Sequence, residues 1–284
     1  MIKIKEISIN DIISNDKIKY NTSNLWINNI KPNDYDEIIS NVQTNKWIHN
    51  FRNYKKIIID NKKDLYWMKK AFEIGSKTKR FPNMYDDELE DIINRYKFTD
   101  IFDGTKYFVR SEDVSLKEGI NGIGPYTNFK SIIESMVTCR YGHSPINNNS
   151  SIIILYLCPF LENIDKMKEF RIFVCKNKIT AISQQAIYNS NYILNKLNDH
   201  DKNNLINKWI NIIIEYFENE IKKKIIHIDS YVVDFAILND DKPYFIEINS
   251  FGKEYTSGSA LFNWIEDYDI LYGLTDYIEF RYTI

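Results

Sequence analysis

The stretch 230–252, SYVVDFAILNDDKPYFIEINSFG, constrains the fold more than any other part of the chain. It reads as two β-strands, 231–238 and 244–249, joined by the polar turn Asn239-Asp240-Asp241-Lys242. Val, Ile, Phe and Tyr dominate both runs and suit a packed sheet. Asp234 nevertheless sits in the middle of the first strand, with Glu247 and Asn249 near the end of the second. Ionised carboxylates in such apolar company are costly unless they are paired or bind a cation. Side chains alternate along a strand, so Glu247 and Asn249 share a face. If the four-residue turn sets the register, Leu238 faces Pro243, Asp234 faces Glu247 and Val232 faces Asn249. The three oxygen-bearing side chains then lie on one face. That hard ligand set suits Mg²⁺, which shares its shell with water and phosphates. The competing reading is a salt-bridged sheet with carboxylates facing water.

A length of 284 residues accommodates one large domain or two connected ones, and 44% hydrophobic content supplies a core. Lys and Arg total 37 against 39 Asp and Glu, which gives no electrostatic case for nucleic acid or an anionic membrane. Cys139, Cys158 and Cys175 are too widely spaced for a disulfide framework or a zinc motif. Cys158 and Cys175 fall in expected strands and read as buried apolar residues. His49, His143, His200 and His227 form no close ligand pair. The N-terminus lacks the apolar core of a signal peptide, and no apolar run reaches membrane-spanning length. The expectation is a soluble, reduced, cytoplasmic protein.

In chain order, residues 1–95 read as helical and irregular, with helices opening at 34–39, within 64–72 and at 86–95. Leu25, Trp26, Ile27, Trp47, Ile48 and Phe51 would cover the main sheet or present a recognition surface. A strand at 106–110 leads to the cations Arg110 and Lys117, and then to three of the nine glycines, Gly119, Gly122 and Gly124. Clustered glycines let backbone N–H groups approach phosphates. The segment matches neither the Walker A pattern nor G-x-G-x-x-G, and an ordinary mobile loop explains it as well.

An amphipathic helix is expected at 128–140 and an apolar strand at 152–158. A hairpin follows, 169–175 and 178–184. In it Arg171 shares a face with Glu169 and Phe173, and either pairs with a carboxylate or clamps an anion. Gln184 and Gln185, at the end of that hairpin, could hydrogen-bond a ligand. A long helix at 201–224 carries the stripe Leu205, Trp209, Ile212, Ile213, Tyr216 and Phe217, which reads as core.

Together these blocks resemble an ATP-grasp protein, and more specifically the cell division cycle protein 123 family. The resemblance rests on RSEDVSLKEG (110–119), EFRIFVCKNKITAISQ (169–184), the opening hairpin, and TSGSALFNW (256–264). It implies an α+β, ATP-grasp-like fold: two lobes with antiparallel sheets clamping a nucleotide, plus a mostly helical N-terminal region. The matching segments are 1–95 for the N-terminal region, 96–150 for the smaller lobe and 151–284 for the larger. It also implies ATP and Mg²⁺ as cofactors. Arg110 and Lys117 would contact phosphates beneath the loop containing Gly122 and Gly124. Tyr156 and Leu157 would present backbone groups to adenine, and Arg171 would touch the phosphate region. Asp234, Glu247 and Asn249 would hold the metal. The family usually has Asp at the position of Glu247, Lys at that of Arg110 and Pro at that of Leu116.

The function implied is that of a monomeric assembly chaperone acting on the gamma subunit of translation initiation factor two. A different class, an ATP-grasp carboxylate–amine or thiol ligase working through an acyl phosphate, uses the same parts. A kinase-like reading is prompted by His227-x-Asp229 and Asp234-Phe235-Ala236. It lacks the catalytic-loop Asn and the glycine of D-F-G.

Overall fold

The hairpin expected around Asp234 forms, and it lies at one side of a larger sheet. The computed structural model describes residues 1–13, 19–23, 30–96, 101–147, 151–255 and 257–284. Leu25, Trp26 and Ile27 fall outside the described residues.

In chain order the elements are β1 (Ile2–Ile7), α1 (Ile9–Ile13), α2 (Tyr35–Asn41), α3 (Thr44–Phe51), β2 (Lys55–Ile59) and α4 (Lys62–Thr78). Next come α5 (Asp86–Arg95), β3 (Tyr107–Arg110), α6 (Phe129–Thr138), β4 (Ile153–Pro159), β5 (Glu169–Cys175) and β6 (Lys178–Gln184). The chain ends with α7 (Asp199–Tyr216), α8 (Lys222–Lys224), β7 (Tyr231–Ile237), β8 (Pro243–Asn249), α9 (Tyr268–Leu271) and β9 (Ile278–Thr283).

The chain divides into two compact units, 1–47 with 163–284, and 48–162. The segments drawn from the sequence, 1–95, 96–150 and 151–284, run differently. The reason is pairing across long sequence separations. β2, from the supposed N-terminal region, hydrogen-bonds to β4, while β1 returns to pair with β9.

The unit 48–162 holds a three-stranded antiparallel sheet in the order β2-β4-β3. Ile57, Ile59, Ile153, Leu155, Leu157 and Val109 pack against apolar residues of α4, α5 and α6. Polar caps fix where the helices begin. Asn61 accepts from the N–H groups of Lys63 and Asp64 at the start of α4, and Asn128 accepts from Ser131 N–H at the start of α6.

The unit 1–47 with 163–284 holds a six-stranded sheet, β1-β9-β6-β5-β7-β8. β5/β6, β5/β7 and β7/β8 are antiparallel, whereas β9 runs parallel to both β1 and β6. The hairpin β5/β6 has the bounds expected from the sequence, because its apolar runs stop where Lys176 and Asn177 turn the chain with φ of 50° and 59°. The long helix starts two residues earlier than expected, where Asn198 caps it by accepting from Asp201 N–H. It then runs through a π-helical turn, Phe217–Ile221, into α8. That helix buries Ile206, Trp209, Ile210, Ile213, Phe217 and Ile221, so the core stripe is rotated from the expected one. Trp209 packs on Phe170 at 5.5 Å and Tyr216 on Phe235 at 5.7 Å, which covers one face of the sheet. The other face carries the polar row described next.

Candidate functional site

β7 and β8 pair as expected at the inner end, with Val232 opposite Asn249 and Asp234 opposite Glu247. A bulge between Asp234 and Phe235 shifts the outer half by one, so Ile237 rather than Leu238 faces Pro243. Bulges re-aim side chains and recur beside active sites.

On its other side β7 pairs with β5, which sets Arg171 opposite Asp234. Arg171, Asp234 and Glu247 thus form one row across three strands. Arg171 grips Asp234 with two parallel bonds, Nε to Oδ1 at 2.8 Å and Nη2 to Oδ2 at 2.7 Å. Its remaining nitrogen, Nη1, donates to Gly258 O at 2.7 Å. Asn249 Nδ2 donates to Asp234 Oδ2 at 3.2 Å, so its amide oxygen is the acceptor left to it.

The ion pair is nearly sealed, with the Arg171 and Asp234 side chains 11% and 7% exposed. Burial pushes the Asp234 carboxyl up from its ordinary value, Arg171 opposes that rise, and the neighbouring Glu247 carboxylate reinforces it. For Arg171, burial works against the charged form, but Asp234 and then Glu247 more than offset it and hold the guanidinium above its ordinary value.

Two carboxylates and one amide on one face are a donor set that fits Mg²⁺, which takes few protein ligands and fills its shell with water and phosphate oxygens. Among the described residues no three His, Cys, Asp or Glu side chains converge, so no all-protein metal cage is present.

The other predicted residues lie on the unit 48–162. Arg110 is buried and sits opposite Tyr156 in the register of β3 and β4, on the sheet face turned away from the helices. Tyr156 donates its hydroxyl to Glu112 Oε1 at 2.6 Å and meets Tyr54 edge-on at 5.3 Å. Leu157 points the other way, into the helical core. β2 and β3 flank β4 at both Tyr156 and Leu157, so their backbone groups meet neighbouring strands. The expected presentation of those groups to adenine conflicts with this pairing.

Lys117 is exposed on a 3₁₀ turn, Leu116–Glu118. The glycine segment after it is tied down, contrary to an ordinary mobile loop. Ile120 N–H donates to Thr138 Oγ1, Asn121 N–H to Ser135 Oγ, Gly122 N–H to Gly119 O and Gly124 N–H to Asn121 O. Gly119 is required by close packing, since a Cβ there would lie 2.5 Å from Ser135 O.

Gln184 is also spent internally. Its amide nitrogen donates to Asn189 O and Thr283 Oγ1, and its oxygen accepts from Asn191. Sequence reasoning missed Gly258 and Asn21, whose side-by-side placement depends on distant segments. The block SGSA at 257–260 was a family signature without a stated role. A separate cavity of about 520 Å³ lies at the start of β7, lined by Asn41, Asn177, His227, Asp229, Ser250 and Phe251 among others. None of the predicted site residues lines it.

The fold is α+β with two largely antiparallel sheets, as expected. The D123 family model matches residues 135–283, and the chain belongs to that family. Cdc123 from Schizosaccharomyces pombe is similar in structure, with a TM-score of 0.55 at 16% identity over 86% of this chain and 96% of that one. The C-terminally truncated form of the same yeast protein gives 0.56 at 16% identity over the same shares. The D-alanine-D-alanine ligase from Coxiella burnetii aligns at a TM-score of 0.34 and 10% identity, over 74% of this chain and 45% of the ligase. Among curated proteins, none matches by sequence. No helix among the described residues is long and apolar enough to cross a membrane.

Proposed function

We propose that this chain binds ATP with Mg²⁺ and works as an assembly chaperone for translation initiation factor two, through that factor's gamma subunit. The observation that carries the nucleotide reading is the row Arg171–Asp234–Glu247, with Asn249 bonded to Asp234. Asp234, Glu247 and Asn249 would hold the cation, which would supply charge neutralisation to the triphosphate. Arg171 has a planar fork suited to phosphate oxygens. The tethered segment at Gly122 and Gly124 enters as packing rather than as a cradle, and adenine is not assigned to the backbone of Tyr156 and Leu157. The chaperone reading rests on membership of the D123 family. In it, nucleotide binding would favour one arrangement of the protein with higher affinity for the partner.

Calorimetric titration of the full chain with ATP and Mg²⁺ tests the first part, where saturable binding that depends on Mg²⁺ is expected. Absence of heat from the folded protein would sink it. Capture of purified gamma subunit, stronger with ATP-Mg²⁺ than without, tests the second. No capture in either state would leave the chaperone role unsupported while sparing the nucleotide site.

A further inference from the structure

Asp234 is already well occupied by the protein itself. A carboxylate offers about four acceptor positions, and Arg171 and Asn249 together place three hydrogen bonds on this one. The guanidinium is not free to drift, because Gly258 O accepts its Nη1 at 2.7 Å.

Gly258 is in turn held by a clasp between two distant segments. Asn21 N–H donates to Ala260 O at 2.8 Å, and Ala260 N–H donates to Asn21 Oδ1 at 3.2 Å. Thr22 N–H donates to Ser259 Oγ at 2.8 Å, and Ser259 N–H donates to Thr22 O at 3.1 Å. Asn21 and Ala260 both sit at positive φ, 53° and 48°. L side chains visit that region rarely, and it persists where the surroundings over-determine it. The fit at Gly258 is tight, since a Cβ there would lie 2.4 Å from Asn21 Oδ1 and 3.5 Å from Arg171 Nη1.

We infer that Arg171 is the resident counter-ion of Asp234, positioned by the Gly258 carbonyl and the Asn21–Ala260 clasp, and that a divalent cation competes with it for that carboxylate. The inference rests on the reading of Asp234, Glu247 and Asn249 as cation ligands. Its physical basis is charge. A guanidinium and a divalent cation on one nearly buried carboxylate repel each other with little water to screen them. Cation entry therefore pulls Arg171 off Asp234, and the bond to Gly258 O loosens with it. Asn21 and Gly258 act as positioning residues that set how tightly Arg171 is held on Asp234.

Mn²⁺ alone, without nucleotide, is the probe. Binding to the full chain is followed by electron paramagnetic resonance of free Mn²⁺. Arg171→Gln should bind Mn²⁺ at least about tenfold more tightly than the wild type. Equal or weaker binding overturns the inference. Asn21→Gly keeps the backbone conformation and removes the side-chain acceptor for Ala260, so it should shift Mn²⁺ affinity in the same direction by a smaller factor.

Because Arg171→Gln leaves a buried carboxylate and the variant can fail to fold, a second measurement uses the wild type. Mn²⁺ should speed amide hydrogen exchange over residues 257–264, and unchanged or slower exchange there overturns the inference. Asp234→Asn separates this from the reading beneath it. If that variant binds Mn²⁺-ATP as the wild type does, the cation site itself is wrong. If it loses Mn²⁺-ATP binding while Arg171→Gln gains no Mn²⁺ affinity, only the counter-ion role fails.

Discussion

Arg171 and Arg281 lie on the same face of one sheet, in one register row through Ser183, yet their surroundings differ. Arg281 is closed in on every side. It forks onto Asp267 with bonds of 2.8 and 2.6 Å, donates Nε to Glu279 at 2.7 Å and Nη1 to Leu261 O at 3.0 Å, and stacks 4.0 Å from the Phe262 ring centroid. Glu279 also meets Lys3 at 3.2 Å. Each carboxylate there has a cation of its own. Arg171 sits in a row with Asp234 and Glu247, and the flanking Glu247 and Asn249 are half-buried. A buried arginine is therefore no signature of function by itself. What separates the two is whether the cluster reaches the surface.

The largest effect that tests this contrast is on stability. Arg281→Ala strands Asp267 and leaves Glu279 with Lys3 alone, and should lower the unfolding free energy by about 3–5 kcal/mol, read by urea denaturation. The ATP-Mg²⁺ affinity of its folded molecules should change far less than in an Asp234 variant. If Arg281→Ala instead removes nucleotide binding with stability intact, the two clusters have been assigned the wrong way round.

Asp234→Asn should show the converse. We expect Mg²⁺-dependent ATP affinity to fall at least about 100-fold, roughly 2.7 kcal/mol, with stability lowered by about 1–3 kcal/mol. An equal fall with EDTA present would remove the cation from the account.

On the opposite face, Asn198→Ala deletes the cap of α7 and should cost about 1 kcal/mol by denaturation, with ATP-Mg²⁺ affinity unchanged.

The smallest effect concerns pH. The Tyr282 hydroxyl, and then Lys202, hold the Glu6 carboxyl below its ordinary 4.5 against the opposing effect of burial. A carboxyl with a lowered folded value stabilises the protein above its unfolded value, and that contribution is lost as pH falls through the folded value. Wild-type stability should therefore fall more steeply below pH 4.5 than that of Glu6→Gln, in acid titrations followed by circular dichroism. Parallel curves would show that Glu6 carries no linkage.

Local patterns made much of this legible. The apolar runs and their polar turns located β5, β6, β7 and β8, and strand alternation with turn length put Asp234 opposite Glu247 and Val232 opposite Asn249. Acidic composition located α5, and helical spacing located α6 and α7. The Asp234–Phe235 bulge was not legible, since a register shift depends on how β7 packs between β5 and β8 and not on the turn alone.

By itself, then, the sequence located β3 to β8 and α5 to α7, and put three oxygen-bearing side chains on one face. Those are consequences of side-chain period and propensity within a few residues. Only the tertiary structure decided that Arg171 rests on Asp234, that Gly258 and Asn21 keep it there, and that β2 and β1 leave the N-terminal region for two different sheets. These depend on contacts between residues far apart in the chain, where burial and the need to satisfy every buried charge select the partner.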